Sequence, residues 1–110
     1  MRLPNAEQAI IAPAKLRDYL LNEDNPRGRS KALFLGKLGF RRERWIELET
    51  ALRTDHLTAD AEEVQGNRFG RKFRIVAPIT GPSGETAIMK SIWIVHHGED
   101  IPRLATAYPD

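Results

Sequence analysis

Lys72 and Arg74, Thr106 and Tyr108, and Arg29 and Lys31 are the side chains of this chain whose types and spacing suit chemistry on an anion. Residues two apart in a strand point to the same side of a sheet, so Lys72 pairs with Arg74 and Thr106 with Tyr108, while Arg29 and Lys31 sit on a helix that can reach the same rim. A cationic and phenolic set of this kind fits cleavage of RNA through its own 2′-hydroxyl. That reaction needs a proton acceptor, cations around the pentavalent phosphorane and a proton for the leaving 5′-oxygen. Lysine or tyrosine carries protons when its surroundings tune it, and arginine or lysine stabilises the developing charge, so histidine is dispensable. Lys31, Lys72, Thr106 and Tyr108 are the candidate catalytic residues. Each also has a plainer role: Lys72 and Arg74 as a charged edge against aggregation, Thr106 as a strand former, Tyr108 as a half-buried aromatic.

Other chemistries lack their residues. Without cysteine there is no disulfide scaffold, thiolate zinc site or Cys nucleophile, which agrees with a reducing cytosol. His96 and His97 are adjacent in a strand and diverge, and His56 stands alone, so no metal is expected. Glu47 and Glu49 diverge on a helix, which argues against a carboxylate pair. Gly36-Lys37 lacks the first glycine and the Ser or Thr of a phosphate loop, and the Gly66–Lys72 segment leads into a strand rather than a helix. No cofactor is expected.

Charge points the same way. The 110 residues carry a net charge of only +2. Residues 27–44 nevertheless hold seven Lys or Arg against Glu43, and residues 68–74 hold four with no acid, so these two windows carry +10 and the remainder −8. Such polarity favours an anionic partner. Arg27, Arg29, Arg41, Arg42, Arg68, Arg71 and Arg74 are the candidate nucleic-acid-binding residues. Asp55, Asp60, Glu62 and Glu63 form the acidic counterweight.

Periodicity places these residues on elements. Pro13 at a helix start, then Leu16, Tyr19 and Leu20, predicts a first helix over 13–22. Residues 22–28 form a loop. Ser30 caps a second helix that presents Phe34, Leu35 and Leu38 and stops at Gly39, with Phe40 making the contact that follows a glycine cap. A third helix buries Trp45, Leu48 and Leu52. Lys72 to Thr80 alternates as a half-buried strand, Gly81-Pro82-Ser83-Gly84 is a four-residue hairpin loop, and Thr86 to His96, apolar on both faces, is a central strand containing a core Trp93. Arg103 to Tyr108 is a third strand, with Leu104, Thr106 and Tyr108 on one side and Ala105 and Ala107 on the other. Ala9 to Ile11 is a candidate fourth, edge strand. The expected fold is α+β: two to three N-terminal helices packed on a small antiparallel sheet of three to four strands. It forms one domain, 1–110, divided into a helical part (about 13–54), an acidic linker (about 55–67) and a β-meander (about 71–108). No apolar run reaches the roughly 18 residues of a membrane span and no signal-like segment opens the chain, so a soluble cytoplasmic protein without membrane contact is expected.

Lys15-Leu16-Arg17-Asp18-Tyr19-Leu20-Leu21, Gly28-Arg29-Ser30-Lys31-Ala32, Leu38-Gly39-Phe40, Ile92-Trp93-Ile94 and the ending Thr106-Ala107-Tyr108-Pro109 together resemble a family of small bacterial domains of unknown function. They are also similar to ribonuclease toxin domains of the barnase, EndoU, colicin and RelE type. The resemblance runs from Leu3 to Pro109. It implies metal-independent RNA cleavage on an exposed sheet face, with a small acidic antitoxin or immunity protein as partner. In that resemblance Lys31 matches the basic residue after the first helix, Thr106 and Tyr108 the polar pair of the terminal strand, and Gly70-Arg71-Lys72-Phe73 the strand entrance. The absence of a catalytic histidine makes the RelE pattern of Lys, Arg and Tyr the nearer comparison. The alternative is a non-catalytic module that binds nucleic acid or an acidic protein through its basic face.

Overall fold

The computed structural model describes all 110 residues. Helices occupy the first half of the chain. Helix α1 (Pro13–Lys15) runs on into a wide π-type turn over Leu16–Leu20, closed by the Leu21 N–H donating to the Leu16 carbonyl at 2.9 Å. Helix α2 spans Arg29–Lys37, and α3 spans Trp45–Ala51 and continues through a second wide turn over Leu52–His56. Short 3-10 turns lie at Ala6–Gln8 and Arg42–Arg44. The sheet follows as β1 (Glu62–Asn67), β2 (Gly70–Thr80), β3 (Thr86–His96) and β4 (Arg103–Pro109), antiparallel throughout and ordered β1-β2-β3-β4. The fold is the expected α+β arrangement.

One sheet face is covered. Phe73, Ile75 and Ile79 of β2 and Met89 and Trp93 of β3 are buried against Leu16, Leu20, Leu35, Leu48 and Leu52 of the helices, as the alternation in β2 and the 3.6-residue spacing of the leucines require. Phe73 and Trp93 face each other across the β2–β3 ladder, and both are fully buried. The opposite face stays open and presents Lys72, Arg74, Val76 and Pro78 from β2.

Four local expectations are corrected. Residues 55–67 are not a linker: Asp55 and His56 end the third helix, and Glu62–Asn67 is an edge strand whose Glu62 lies opposite Arg74. Its sequence carries no apolar alternation because nearly every side chain on it is exposed. Ala9 to Ile11 makes only an isolated parallel bridge, Ile10 with Arg103, so the fourth strand is β1 instead. Ser30 does not cap α2; Gly28 occupies the N-cap position and Ser30 stands in the first turn. The β2–β3 loop comprises residues 81–85, closed by Gly81 N–H donating to the Glu85 carbonyl at 3.0 Å.

A fifth correction bears on the site. The β3–β4 register shifts between Ile92 and Trp93, pairing Ile92 with Thr106 but Trp93 with Leu104. The extra residue, Ala105, is a bulge that breaks the period of two. Leu104 and Ala107 therefore turn into the core, whereas Thr106 and Tyr108 do not.

Gly39 closes α2 as expected, with φ at +96° and the Phe40 N–H donating to the Leu35 carbonyl at 3.1 Å. A Cβ there would also sit 2.7 Å from the Ser83 amide nitrogen. Gly39→Ala is expected to cost about 1–3 kcal/mol. Gly36 is inside α2 and a Cβ on it meets nothing within 4 Å. Gly36→Ala should therefore stabilise, by about 0.5–1 kcal/mol. Urea midpoints of the two variants check the opposite signs.

Candidate functional site

Three of the four candidate catalytic residues converge. Lys31 comes from the first turn of α2, and Thr106 and Tyr108 from the bulged end of β4. Together with Tyr19, Ser30 and Pro109 they line a cleft of about 460 Å³ at the free edge of β4. The bulge is what aims Thr106 and Tyr108 at it. Neither carboxylate nor imidazole lines this cleft, so the polar side-chain groups it offers are an ammonium, phenols and hydroxyls.

Tyr19 is the residue that sequence reasoning missed, since its spacing with Leu16 and Leu20 reads as core. Its hydroxyl shares a hydrogen bond of 3.1 Å with Thr106 Oγ1, in which either oxygen can donate. The Nζ atoms of Lys15 and Lys31 stand 5.5 and 5.4 Å from its ring centroid. Partial burial pushes the phenol upward, but the Thr106 hydroxyl and the Lys31 and Lys15 ammoniums outweigh it and hold Tyr19 below its ordinary value of 10.0. Lys31 donates from Nζ to the Arg27 carbonyl at 3.0 Å, which fixes the ammonium beside the cleft. The signal that could have found Tyr19 was its position between two lysines, but Lys15 and Lys31 are separated in sequence by a turn and a loop that hide their meeting at one ring.

Lys72 lies elsewhere. It is opposite Ile94 on the open sheet face, whereas Thr106 is opposite Ile92 on the far side of β3. Two strand spacings and one side-chain row put them roughly 12 Å apart. Arg74 shares the row of Ile92 and Thr106.

The basic windows divide into paired and unpaired sets. Arg71 grips Glu63 with two hydrogen bonds of 2.9 Å, and Arg74 is ion-paired with Glu62. The acidic strand thus neutralises the basic strand beside it, and the hydrogen bond from Arg71 holds the Glu63 carboxyl below its usual range. Arg42 bonds Asp18 at 3.2 Å and the Arg17 carbonyl at 2.8 Å, and Arg42 followed by Arg17 lowers the Asp18 carboxyl. Arg27, Arg29, Lys31, Arg41, Arg68 and Lys72 have no ion-pair partner. Arg68 stacks instead on the exposed Phe69 ring, 4.9 Å from its centroid, in the β1–β2 turn.

The histidines are set apart from this site. His56 is fully buried, with Nδ1 2.7 Å from Ser91 Oγ and Nε2 3.1 Å from the Ala77 carbonyl. His96 faces Glu99 at 3.4 Å on the surface, and no group of His, Asp and Glu has the arrangement to hold a metal ion. No helix is long and apolar enough to cross a membrane.

The family model described as Domain of unknown function (DUF6883) matches residues 2–110 of the chain. No curated protein and no solved structure matches it.

Proposed function

We propose that this chain, which belongs to the DUF6883 family, is a metal-independent endoribonuclease of the toxin type, acting in the cytoplasm and held in check by a small acidic antitoxin or immunity protein. The observation that carries the reading is the meeting of Lys31, Thr106 and Tyr108 in one cleft free of carboxylates. An anionic phosphodiester meets no like charge among the residues that line the cleft, the adjoining Asp110 carboxylate being paired with Lys90, and the ammonium of Lys31 neutralises its non-bridging oxygens as negative charge develops. Tyr108 supplies a proton to the leaving 5′-oxygen, and Thr106 orients the scissile group. The unpaired Arg27 and Arg29, just before Lys31, hold the phosphates that flank the scissile one, while Lys72 on the open sheet face and Arg68 in the β1–β2 turn bind the RNA farther from it.

The deciding experiment incubates the purified protein with single-stranded RNA and with programmed ribosomes and looks for fragments ending in a 2′,3′-cyclic phosphate. Intact RNA in both settings, with no slowing of growth on expression, would end this reading.

The pairing pattern yields a separate expectation for binding. Removing Arg27 and Arg29 together should flatten the dependence of log affinity for single-stranded RNA on log salt concentration by about 1.4, at about 0.7 for each phosphate left without its cation. Removing Arg71 and Arg74 should change that slope by less than half as much, because Glu63 and Glu62 already neutralise them. Fluorescence anisotropy across a salt series measures both. Equal slopes for the two double variants would show that pairing does not select the binding surface.

A further inference from the structure

Tyr19 has a geometry that neither packing nor the roles of Lys31, Thr106 and Tyr108 require. Two parts of the chain hold it. The wide turn over Leu16–Leu20 carries it, buried Leu16 and Leu20 on either side anchor that turn in the core, and Gly28 lies so close that a Cβ there would sit 1.9 Å from the Tyr19 carbonyl oxygen. The phenol is thereby turned to the cleft edge, where Thr106 holds its hydroxyl and two ammonium groups flank its ring. A phenol placed only for packing has no need of two cations, whereas a phenolate is stabilised by both.

We propose, resting on the reading of this cleft as a site of RNA cleavage, that Tyr19 is the proton acceptor of the reaction. The Tyr19 phenolate takes the proton of the attacking 2′-hydroxyl, and the 2′-oxygen forms a bond to phosphorus. The bond from phosphorus to the 5′-oxygen breaks, its electron pair goes to that oxygen, and the Tyr108 hydroxyl protonates it. The products are a 2′,3′-cyclic phosphate and a 5′-hydroxyl, and exchange with water returns Tyr19 to phenolate and Tyr108 to phenol. Lys31 takes no part in the proton transfers. Thr106 is a positioning residue, and Lys15, outside the cleft lining, stands 5.5 Å from the ring centroid.

The chain has two tyrosines, so the Tyr108→Phe protein reports Tyr19 alone by tyrosinate absorbance. Its titration midpoint should lie below that of free tyrosine and should rise when Lys15→Ala is added. In the wild-type background, the log of the cleavage rate should climb with pH and level off near that midpoint, and Lys15→Ala should move the limb to higher pH. Tyr19→Phe, which keeps the ring and its packing, should lower the rate by about 10²–10⁴-fold and remove the limb, with the circular dichroism spectrum unchanged. A Tyr19 that titrates like free tyrosine, or a Tyr19→Phe protein that cleaves with the wild-type pH profile, would overturn the assignment while leaving the cleavage site in place. A wild-type protein that leaves RNA intact would remove the underlying reading and this one with it.

Discussion

Replacing Lys31 with alanine should slow RNA cleavage by about 10²–10³-fold, the usual loss when one donor aimed at the developing oxyanion is removed. The protein should remain folded. Lys31 is half-exposed, its Nζ donates to the carbonyl of the exposed Arg27 and stands over the Tyr19 ring at the cleft, and water takes its place when the ammonium is gone. Alanine also suits a helix interior. Lys31→Arg keeps the charge but moves it outward on a longer, planar head, so it should recover part of the rate rather than all of it. Lys72→Ala is the informative control. Lying on the open face beyond β3, it should weaken RNA binding while changing the single-turnover rate by less than about tenfold. A defined single-stranded RNA under single-turnover conditions separates the two effects. If Lys31→Ala cleaves at the wild-type rate, the reaction is not housed in this cleft.

Replacing Ser91 with alanine should cost about 2–6 kcal/mol of stability, because it orphans two buried polar groups at about 1–3 kcal/mol each. The Ala77 carbonyl can only accept, so His56 Nε2 must carry the hydrogen and Nδ1 must accept it from the Ser91 hydroxyl. Ser91 Oγ in turn accepts from Trp93 Nε1 at 2.9 Å. All three residues are fully buried, so no water can take the place of the lost hydroxyl. A typical domain has only about 5–15 kcal/mol in all, so Ser91→Ala should remove a large share of the stability. Surface Ser83→Ala should stay within about 0.5 kcal/mol. The same network predicts a pH dependence. Burial, opposed by the Ala77 carbonyl and Asp55, lowers the His56 value below 6.5, so the folded protein keeps His56 neutral. As pH falls below 6.5 the unfolded chain binds a proton that the folded one refuses. Stability should therefore fall by at most about 1.4 kcal/mol per pH unit on this account, and hold steady above about pH 7. The lowered carboxyls of Asp18, Glu63 and Glu99 act in the same direction, but only once the pH reaches the carboxylate range. Urea midpoints at pH 7.5 and 5.5, read against His56→Gln, check the sign.

Much of the architecture was legible because it is locally encoded. Phe73, Ile75, Ala77 and Ile79 alternate along β2, and they alternate because only one face of the strand meets the helices. Gly39 stops α2 through its own φ, and Trp93 is buried in the most apolar strand, as its neighbours announce. Strand β1 was illegible for the complementary reason: its side chains are exposed, so it is held by backbone pairing and by Glu62 and Glu63 reaching Arg74 and Arg71, partners 12 and 8 residues away. The Ala105 bulge was equally hidden, since it exists only in the register against β3.

The residue types in the sequence by themselves determined the α+β class, the burial of Trp93, and the restriction of the candidate chemistry to Lys, Arg, Tyr and Thr. Only the tertiary structure decided which of those residues meet. It set Lys72 apart from Lys31, neutralised Arg71 and Arg74 with the acidic strand, and brought Tyr19 to Thr106 across 87 positions of chain. Periodicity is a property of neighbours along the chain and can be read from it. Charge neutralisation and the aim of a side chain at a cleft depend on strand register and helix docking, which bring together residues far apart in sequence.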